Sequence, residues 1–584
     1  MFEYGEYPSL IRGSHTTGQV HASKTPVSCQ EKMVDLMVVL NEDCIRLHLD
    51  EFTPQTKFLI DLADDKIDFS KYPSISKEQV ICVPMVQIAR ETTGKSLASN
   101  MVSLAVSCEL LGLKQEYLHA VITSFFERKG PDVVNENLAA AKKGYEFILT
   151  LQQSTTELPT ATTAPSNVSG SESVEASTLA SDPLTAGQPA EKQQAMSETA
   201  SSDQPASDTL LLTGTEAIGF GALSAGVQYY SAYPMTPSSA LMTFMADASE
   251  KYPLVLKHAE DEIAAMNNVI GAGFTGVRAM TGTAGGGFAL MVEAVSLAGV
   301  TEVPLVCMVG GRPGPATGLP TWTSQTDLSF VLHAGHGEFP RVVFTPGNLE
   351  ECFKLTRLSF ILAEKYHTQA YIIADKLLLE SRMTTIPFPT KYSNQQYSFA
   401  QDPLPEDQSY RRFEVTQEGY SPRSVPGQSN GLQLTNSYEH DTYGYATEDA
   451  TLAKQMVEKR MRKWEGLIAE VPGPVLIGPE NADLTVVCWG STRLVMEEVL
   501  RRVNTDGKTA VNTIHLMTML PFKVEEFKAL VGVAKKLVII EENFMGQAEN
   551  HIKAQTGITF DHRIHRYDGR PFYADDIVEE LQAI

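Results

Sequence analysis

Between residues 209 and 380 helix-forming and strand-forming runs alternate with little between them, which restricts the fold more than any other feature of this 584-residue chain. TEAIGFGALSAGVQYY, ALMTFMADASEKY, DEIAAMNNVIGAGF, FALMVEAVSLAG and LEECFKLTRLSFILAEKY carry apolar residues at helical spacing. PLVLKHA, VRAMTGT, VPLVCMVGG and AYIIADKLLL are apolar runs of strand length. Alternation of this kind predicts a doubly wound parallel sheet, with ligand sites beyond the carboxyl ends of its strands. YPMTPSS, HAEDE, MTGTAGGG and VGGRPGPATG all fall at such ends. From DLTVVCWGS onward the alternation returns, predicting a second, smaller α/β domain.

A chain this long divides into several cores. Residues 153–208 hold no aromatic residue and are rich in Ser, Thr, Ala, Pro and Glu, so they cannot bury enough apolar surface to order themselves. They read as a disordered linker between an α/β domain at 1–152 and the main α/β domain at 209–395. A less regular connecting segment at 396–480 precedes the last domain at 481–584. The helix EDATLAKQMVEKRMRKWEGL in that segment reads as a solvated or interfacial helix coated with charge.

The net charge of −24 argues against a nucleic-acid partner, which needs clustered Lys and Arg. No apolar run approaches the roughly 18 residues that would span a bilayer, and MFEYGEYPSL lacks the regions of a signal peptide, so a cytoplasmic protein without membrane contact is expected. The seven cysteines form no CxxC pair, so neither a metal nor a cluster is expected to be held by this chain; isolated buried thiols in a reducing compartment are.

In YPMTPSS, Tyr233-Pro234 and Thr236-Pro237 stiffen the backbone, and Ser238 or Ser239 can cap the helix that follows. GFGALSAG lacks dinucleotide-loop spacing and reads as close helix packing. TGTAGGGF, which includes Thr283, sits between a strand and a helix, where glycines let backbone N–H groups approach an anion. Glu260, Asp261 and Glu262 open an apolar helix; some of them complement its dipole, and at least one should point into a buried place as a candidate acid/base. Arg312, in a stiff loop after a buried strand, suits either bidentate capture of a carboxylate or phosphate, or bonding to loop carbonyls.

With YPMTPSS, AEDEIAAMNNVIGAG, GTAGGGFALMVEAVSLAGVTEVPLV and GRPGPATGLPTWTSQTDL in this order, the chain resembles the α subunit of 2-oxoacid:ferredoxin oxidoreductases, most closely the 2-oxoglutarate type with a γ domain fused in front. EYPSLIRGSHTTGQV, SPRSVPG, NSYEHDTYGYATED, MVEKRMRKWE, EENFMGQ and RYDGRPF extend the likeness. It implies a γ-type domain at 1–152, begun without the family's usual opening strand and GxGGQG-like turn and so possible as a truncation. It also implies a pyrimidine-type thiamine diphosphate domain at 209–395 and a transketolase C-terminal-like domain at 481–584. The implied reaction converts 2-oxoglutarate, CoA and oxidised ferredoxin to succinyl-CoA, CO2 and reduced ferredoxin. Its reverse is the reductive carboxylation of a reductive TCA cycle. Pyruvate or branched-chain 2-oxoacids, or a silent assembly subunit, are the alternatives.

The resemblance implies that Tyr233, Pro234, Thr283 and Glu262 lie at thiamine diphosphate, with Glu262 on N1′ of the aminopyrimidine. A carboxyl there favours the imino tautomer that removes the thiazolium C2 proton. Thr236, Arg312 and Thr321 are implied as substrate contacts. The sequence shows no GDG motif, so Mg2+, the diphosphate and a 4Fe–4S cluster are expected on a separate β subunit, within an (αβ)2 assembly that ferredoxin visits.

Overall fold

The computed structural model describes residues 1–9, 15–61, 67–154, 209–389, 398–400, 404, 406, 410–506 and 509–584. The expected disorder of the linker falls almost wholly outside them. The chain divides into two compact units, Met1–Lys32 with Asp208–Ile584, and Met33–Ser207.

The larger unit is built on a seven-stranded sheet. In chain order its core elements are β1 (Tyr229–Ala232), α1 (Ser239–Ser249), β2 (Val255–His258), α2 (Glu262–Phe274), β3 (Ala279–Ala284), α3 (Gly285–Thr301), β4 (Leu305–Gly311), β5 (Arg341–Phe344), α4 (Leu349–Tyr366) and β6 (Gln369–Asp375). The spatial order β5-β6-β4-β3-β1-β2 is parallel throughout. Strand β4 shows why: Val306 and Met308 enter one apolar cluster, Leu305, Cys307 and Val309 the other, so both faces are covered by helices. GFGALSAG does pack closely, since a Cβ on Gly221 would meet the Phe353 carbonyl of α4 at 2.6 Å.

Beyond this sheet come α5 (Ala450–Glu470), β7 (Leu484–Trp489), β8 (Val511–Leu516), β9 (Thr518–Leu520), β10 (Leu537–Glu541) and β11 (His562–His565). Strand β9 pairs antiparallel with β5, while β8-β7-β10-β11 form the parallel part of a five-stranded sheet edged by Val475–Ile477. Trp489, Ile514, Leu516 and Ile539 share an apolar cluster with α2 and α3, so the two sheets are fixed to one another.

Residues 1–32, which the sequence places with the N-terminal domain, belong to the larger unit. Phe2–Glu6 pairs antiparallel with Arg382–Thr385, Gln30 Nε2 donates to the Phe572 carbonyl at 2.9 Å, and Lys32 pairs with Asp576 at 2.6 Å. The other unit carries a three-stranded parallel sheet, Leu36–Val39, Lys57–Asp61 and Val80–Val83, with helices that include Ser99–Leu110 and Pro131–Ser154. Cys29, Cys307, Cys352 and Cys488 are buried as expected, but Cys82 is exposed. Among the described residues no helix is long and apolar enough to cross a membrane.

Helix α5 departs most from expectation. Its charged residues Lys459 and Lys463 are among the most buried side chains of the chain. Lys459 Nζ lies 2.8 Å and Lys463 Nζ 2.5 Å from the carboxylate of Glu302, itself fully buried. Glu302 ends α3 at φ 51°, a left-handed conformation usually left to glycine. Burial alone would push its carboxyl up, but Lys459, Lys463 and Arg412 hold it well below the ordinary carboxylate range. Periodicity cannot reveal this, because the paired charges come from segments 157 residues apart.

Replacing Glu302 with Gln leaves two ammonium groups buried without their counter-charge, and is expected to cost about 3–5 kcal/mol of stability. Denaturant unfolding of the full chain measures it; a loss under about 1 kcal/mol would show that apolar contacts alone dock α5.

Candidate functional site

The three acids that open α2 have three different environments. Glu260 is exposed. Asp261 is the N-cap, its side chain accepting the Ala264 N–H at 2.7 Å. Glu262 is 3% exposed, and its Oε1 has no hydrogen-bond partner. A buried carboxyl oxygen without a donor costs on the order of 1–3 kcal/mol, which makes this one a candidate position for a ligand's donor.

The triple glycine opens α3 opposite this carboxyl. A Cβ on Gly287 would overlap Thr283 Oγ1 and come within 2.6 Å of Glu262 Oε1, and one on Gly285 would stand 2.7 Å from Asp327 Cγ. Thr283 is wholly buried on β3. These glycines therefore admit carboxyls against the first turn of the helix, where its dipole favours negative charge.

YPMTPSS leaves the carboxyl end of β1 with Tyr233 39% exposed, its ring 6.2 Å from that of His258; Pro234 is exposed and Thr236 half-buried. Ser238 stands at the N-cap of α1 but does not cap it with its side chain, whose hydroxyl donates back to the Met235 carbonyl at 2.7 Å and tightens the turn instead. Arg312 Nη1 donates to the Thr236 carbonyl at 2.8 Å, so the turn after β1 and the loop after β4 are tied together. Both anticipated roles remain open to Arg312, because one of its N–H groups holds a loop carbonyl and the fork offers others.

The loop from Arg312 to Asp327 is stiff. Leu319 N–H bonds to the Pro313 carbonyl at 3.0 Å, the Arg570 guanidinium lies 3.1 Å over the Trp322 ring, and Gln325 Nε2 donates to the Trp489 carbonyl at 2.8 Å. Thr321 is 6% exposed and its hydroxyl has no partner. Asp327, not singled out from sequence, has a buried Oδ2 without a partner, and its carboxyl is pushed up to about 6 by burial, with Arg312 pulling the other way. Its place in TSQTDL, directly after this loop, was the available signal.

The arrangement can hold a polar heterocycle at Glu262 and an anion near Arg312, with Thr236 and Thr321 as further polar contacts.

A family model described as pyruvate flavodoxin/ferredoxin oxidoreductase, thiamine diP-binding, matches residues 220–459, and one described as pyruvate ferredoxin/flavodoxin oxidoreductase matches residues 1–147. The chain is 35% identical over 389 residues to the 2-oxoacid:ferredoxin oxidoreductase 1 subunit alpha of Sulfurisphaera tokodaii, covering 63% of this chain and 60% of that one. It is 30% identical over 344 residues to the 2-oxoglutarate synthase subunit KorA of Methanothermobacter thermautotrophicus, covering 58% of this chain and 88% of that one. It thus spans about 60% of the length of the first of these relatives. Among solved structures it is similar to the 2-oxoglutarate:ferredoxin oxidoreductase from Magnetococcus marinus with 2-oxoglutarate, coenzyme A and succinyl-CoA bound. That likeness has a TM-score of 0.83 and 28% identity, over 100% of this chain and 93% of the other.

The glycine contacts predict opposite outcomes for neighbouring substitutions. A Cβ on Gly286 would meet only the Ala316 carbonyl, at 3.9 Å. Gly286→Ala is therefore expected to be neutral or to stabilise by up to about 1 kcal/mol, whereas Gly287→Ala should cost about 1–3 kcal/mol. Thermal unfolding of the two variants of the full chain checks the sign of each.

Proposed function

The chain belongs to the family of 2-oxoacid:ferredoxin oxidoreductase α subunits, and from that premise we propose that it forms half of a thiamine-diphosphate-dependent active site whose substrate is 2-oxoglutarate. The other half comes from a β subunit bringing Mg2+, the diphosphate contacts and the iron–sulfur cluster. The observation that carries the reading is Glu262 Oε1, buried without a donor beside a turn whose glycines make room for it. Few ligands fit so well as a ring nitrogen that shares a proton with a carboxyl.

Thiamine diphosphate, when bound, supplies a nucleophilic carbon and an electron sink for a 2-oxoacid carbonyl. Glu262 holds a proton toward the pyrimidine nitrogen N1′. Its burial keeps water from competing for that hydrogen bond and strengthens it. Thr283 lies against the same glycine, and Tyr233 and Pro234, exposed in the turn after β1, are the further residues we assign to the cofactor. Arg312 orients the substrate carboxylate, its guanidinium steadied by the Thr236 carbonyl, and Thr321 adds a buried hydroxyl that is otherwise unsatisfied. CoA is the acyl acceptor and ferredoxin takes the electrons.

The choice of 2-oxoglutarate is supported by the names of the 2-oxoglutarate synthase relatives and of the Magnetococcus marinus enzyme. A broader 2-oxoacid range is the second reading, favoured by the generic name of the 35%-identical relative.

Co-purification with the β subunit and an anaerobic assay of CoA-dependent viologen reduction test the proposal. Activity on 2-oxoglutarate should exceed that on pyruvate, and Glu262→Gln should lower kcat by about 100-fold or more with thiamine diphosphate still bound. Equal activity on pyruvate would remove the substrate assignment, and full activity in the Gln variant would remove the role of Glu262.

A further inference from the structure

Behind the loop that carries Arg312 and Thr321, the carboxyl ends of β6, β7 and β10 meet around one hydroxyl, that of Thr323. Its Oγ1 lies 3.4 Å from Asp375 Oδ1 and 3.4 Å from Glu542 Oε2, and it accepts the Leu377 N–H at 3.3 Å. All three side chains are buried, Thr323 and both carboxyls each 3% exposed. Backbone bonds run beside the carboxyls, Gln325 N–H to the Glu542 carbonyl and Glu542 N–H to Gln325 Oε1, each 3.0 Å.

Counting protons decides what this cluster is. A hydroxyl has one proton and two lone pairs. With Leu377 N–H on one lone pair, Thr323 can donate to a single carboxylate, and the second carboxyl is attracted only if it brings a proton of its own. Asp375 receives two further donors, Leu378 N–H at 3.1 Å and Ser491 N–H at 3.2 Å, which suit an ionised carboxylate. Thr323 is the hydrogen-bond partner of the Glu542 carboxyl. Arg566 and Asp568, from the loop after β11, are the other charges facing Glu542, and they are bonded to each other at 3.0 Å.

We infer that Glu542 is a positioning residue that stays protonated in the working protein and donates to Thr323 Oγ1, so that Thr323 bridges two carboxyls and fixes the loop presenting Thr321 and Arg312. This rests on the substrate-binding role proposed for that loop. Burial, then the charge on Asp375, holds the Glu542 carboxyl well above the ordinary range; burial raises Asp375 too, against the pull of Ser491 and the backbone N–H groups. Since the folded-state pKa of Glu542 lies above its unfolded value, its contribution to stability is full below the unfolded value of about 4.3 and is lost as pH rises through the folded one. Ionised, Glu542 would repel Asp375 and release Thr323, so binding of the 2-oxoacid should weaken toward alkaline pH.

The full α–β complex with Glu542→Gln and Glu542→Ala tests this. Gln is a neutral hydrogen-bond donor of the same shape. It should keep KM for 2-oxoglutarate within about twofold of wild type at neutral pH, and should abolish the wild-type rise in KM toward alkaline pH. Ala should raise KM about tenfold while kcat falls less. The infrared difference between wild type and the Gln variant should contain the carbonyl band of a protonated carboxyl, beyond any such band that both proteins share through Glu262 or Asp327. A Gln variant with KM raised like that of Ala, or an infrared difference that lacks a protonated-carboxyl band, would overturn the inference. If the complex turns over no 2-oxoacid, the substrate reading fails by itself. The infrared band, with the pH dependence of thermal unfolding of wild type against the Gln variant, then decides the proton on Glu542.

Discussion

A carboxylate taken out of water must be given a counter-charge, given donors, kept neutral, or left to wait for a ligand; this chain shows the first two at Glu302 and Asp375, and the last two are what we infer for Glu542 and propose for Glu262. Glu302 is paired with Lys459 and Lys463 in full burial, which holds α5 against the end of α3. Asp375 is held by backbone N–H groups at the end of β6. Glu262 has been given nothing for Oε1, although the same fold supplies donors elsewhere. That contrast with Glu302 is what makes Glu262 the candidate for a ligand's donor, since its Oε1 is buried without a partner.

Parallel strands put Glu262 and Asp375 at one edge, beyond the carboxyl ends of the strands, while Glu302, at the end of α3, lies at the other. Every strand from β1 to β6 runs the same way, so the turns after β1, β3 and β4 and the entrance to α2 open on one side of the sheet. The C-terminal sheet then holds the Arg312–Asp327 loop from behind, through Gln325 to Trp489 and Glu542 and through Trp322 to Arg570. A loop held from both sides loses little entropy when an anion binds, which is what a substrate clamp requires.

Much of this was legible in the residues. Helix–strand alternation predicts the parallel sheet because buried strands and crossover helices have different periods, and strand ends predict where YPMTPSS, HAEDE and TGTAGGGF lie. Where the reading departs from the structure, a partner that periodicity does not reveal is responsible, across the fold for the lysines and the first strand and within one turn for Ser238. Lys459 and Lys463 look solvated until Glu302 is brought to them, Ser238 looks like a cap until its hydroxyl turns to Met235, and Phe2–Glu6 looks like the start of the first domain until it pairs with Arg382–Thr385.

The sequence by itself determined the fold class, the family and the short stretches in which the site must lie, because periodicity, glycine and proline act locally. Only tertiary structure decided which of Glu260, Asp261 and Glu262 is buried without a donor, that Gly285 and Gly287 are spaces for carboxyls, and that Thr323 stands between Asp375 and Glu542. Those are statements about what faces a side chain across the fold, and burial and hydrogen-bond satisfaction exist only once distant segments have come together.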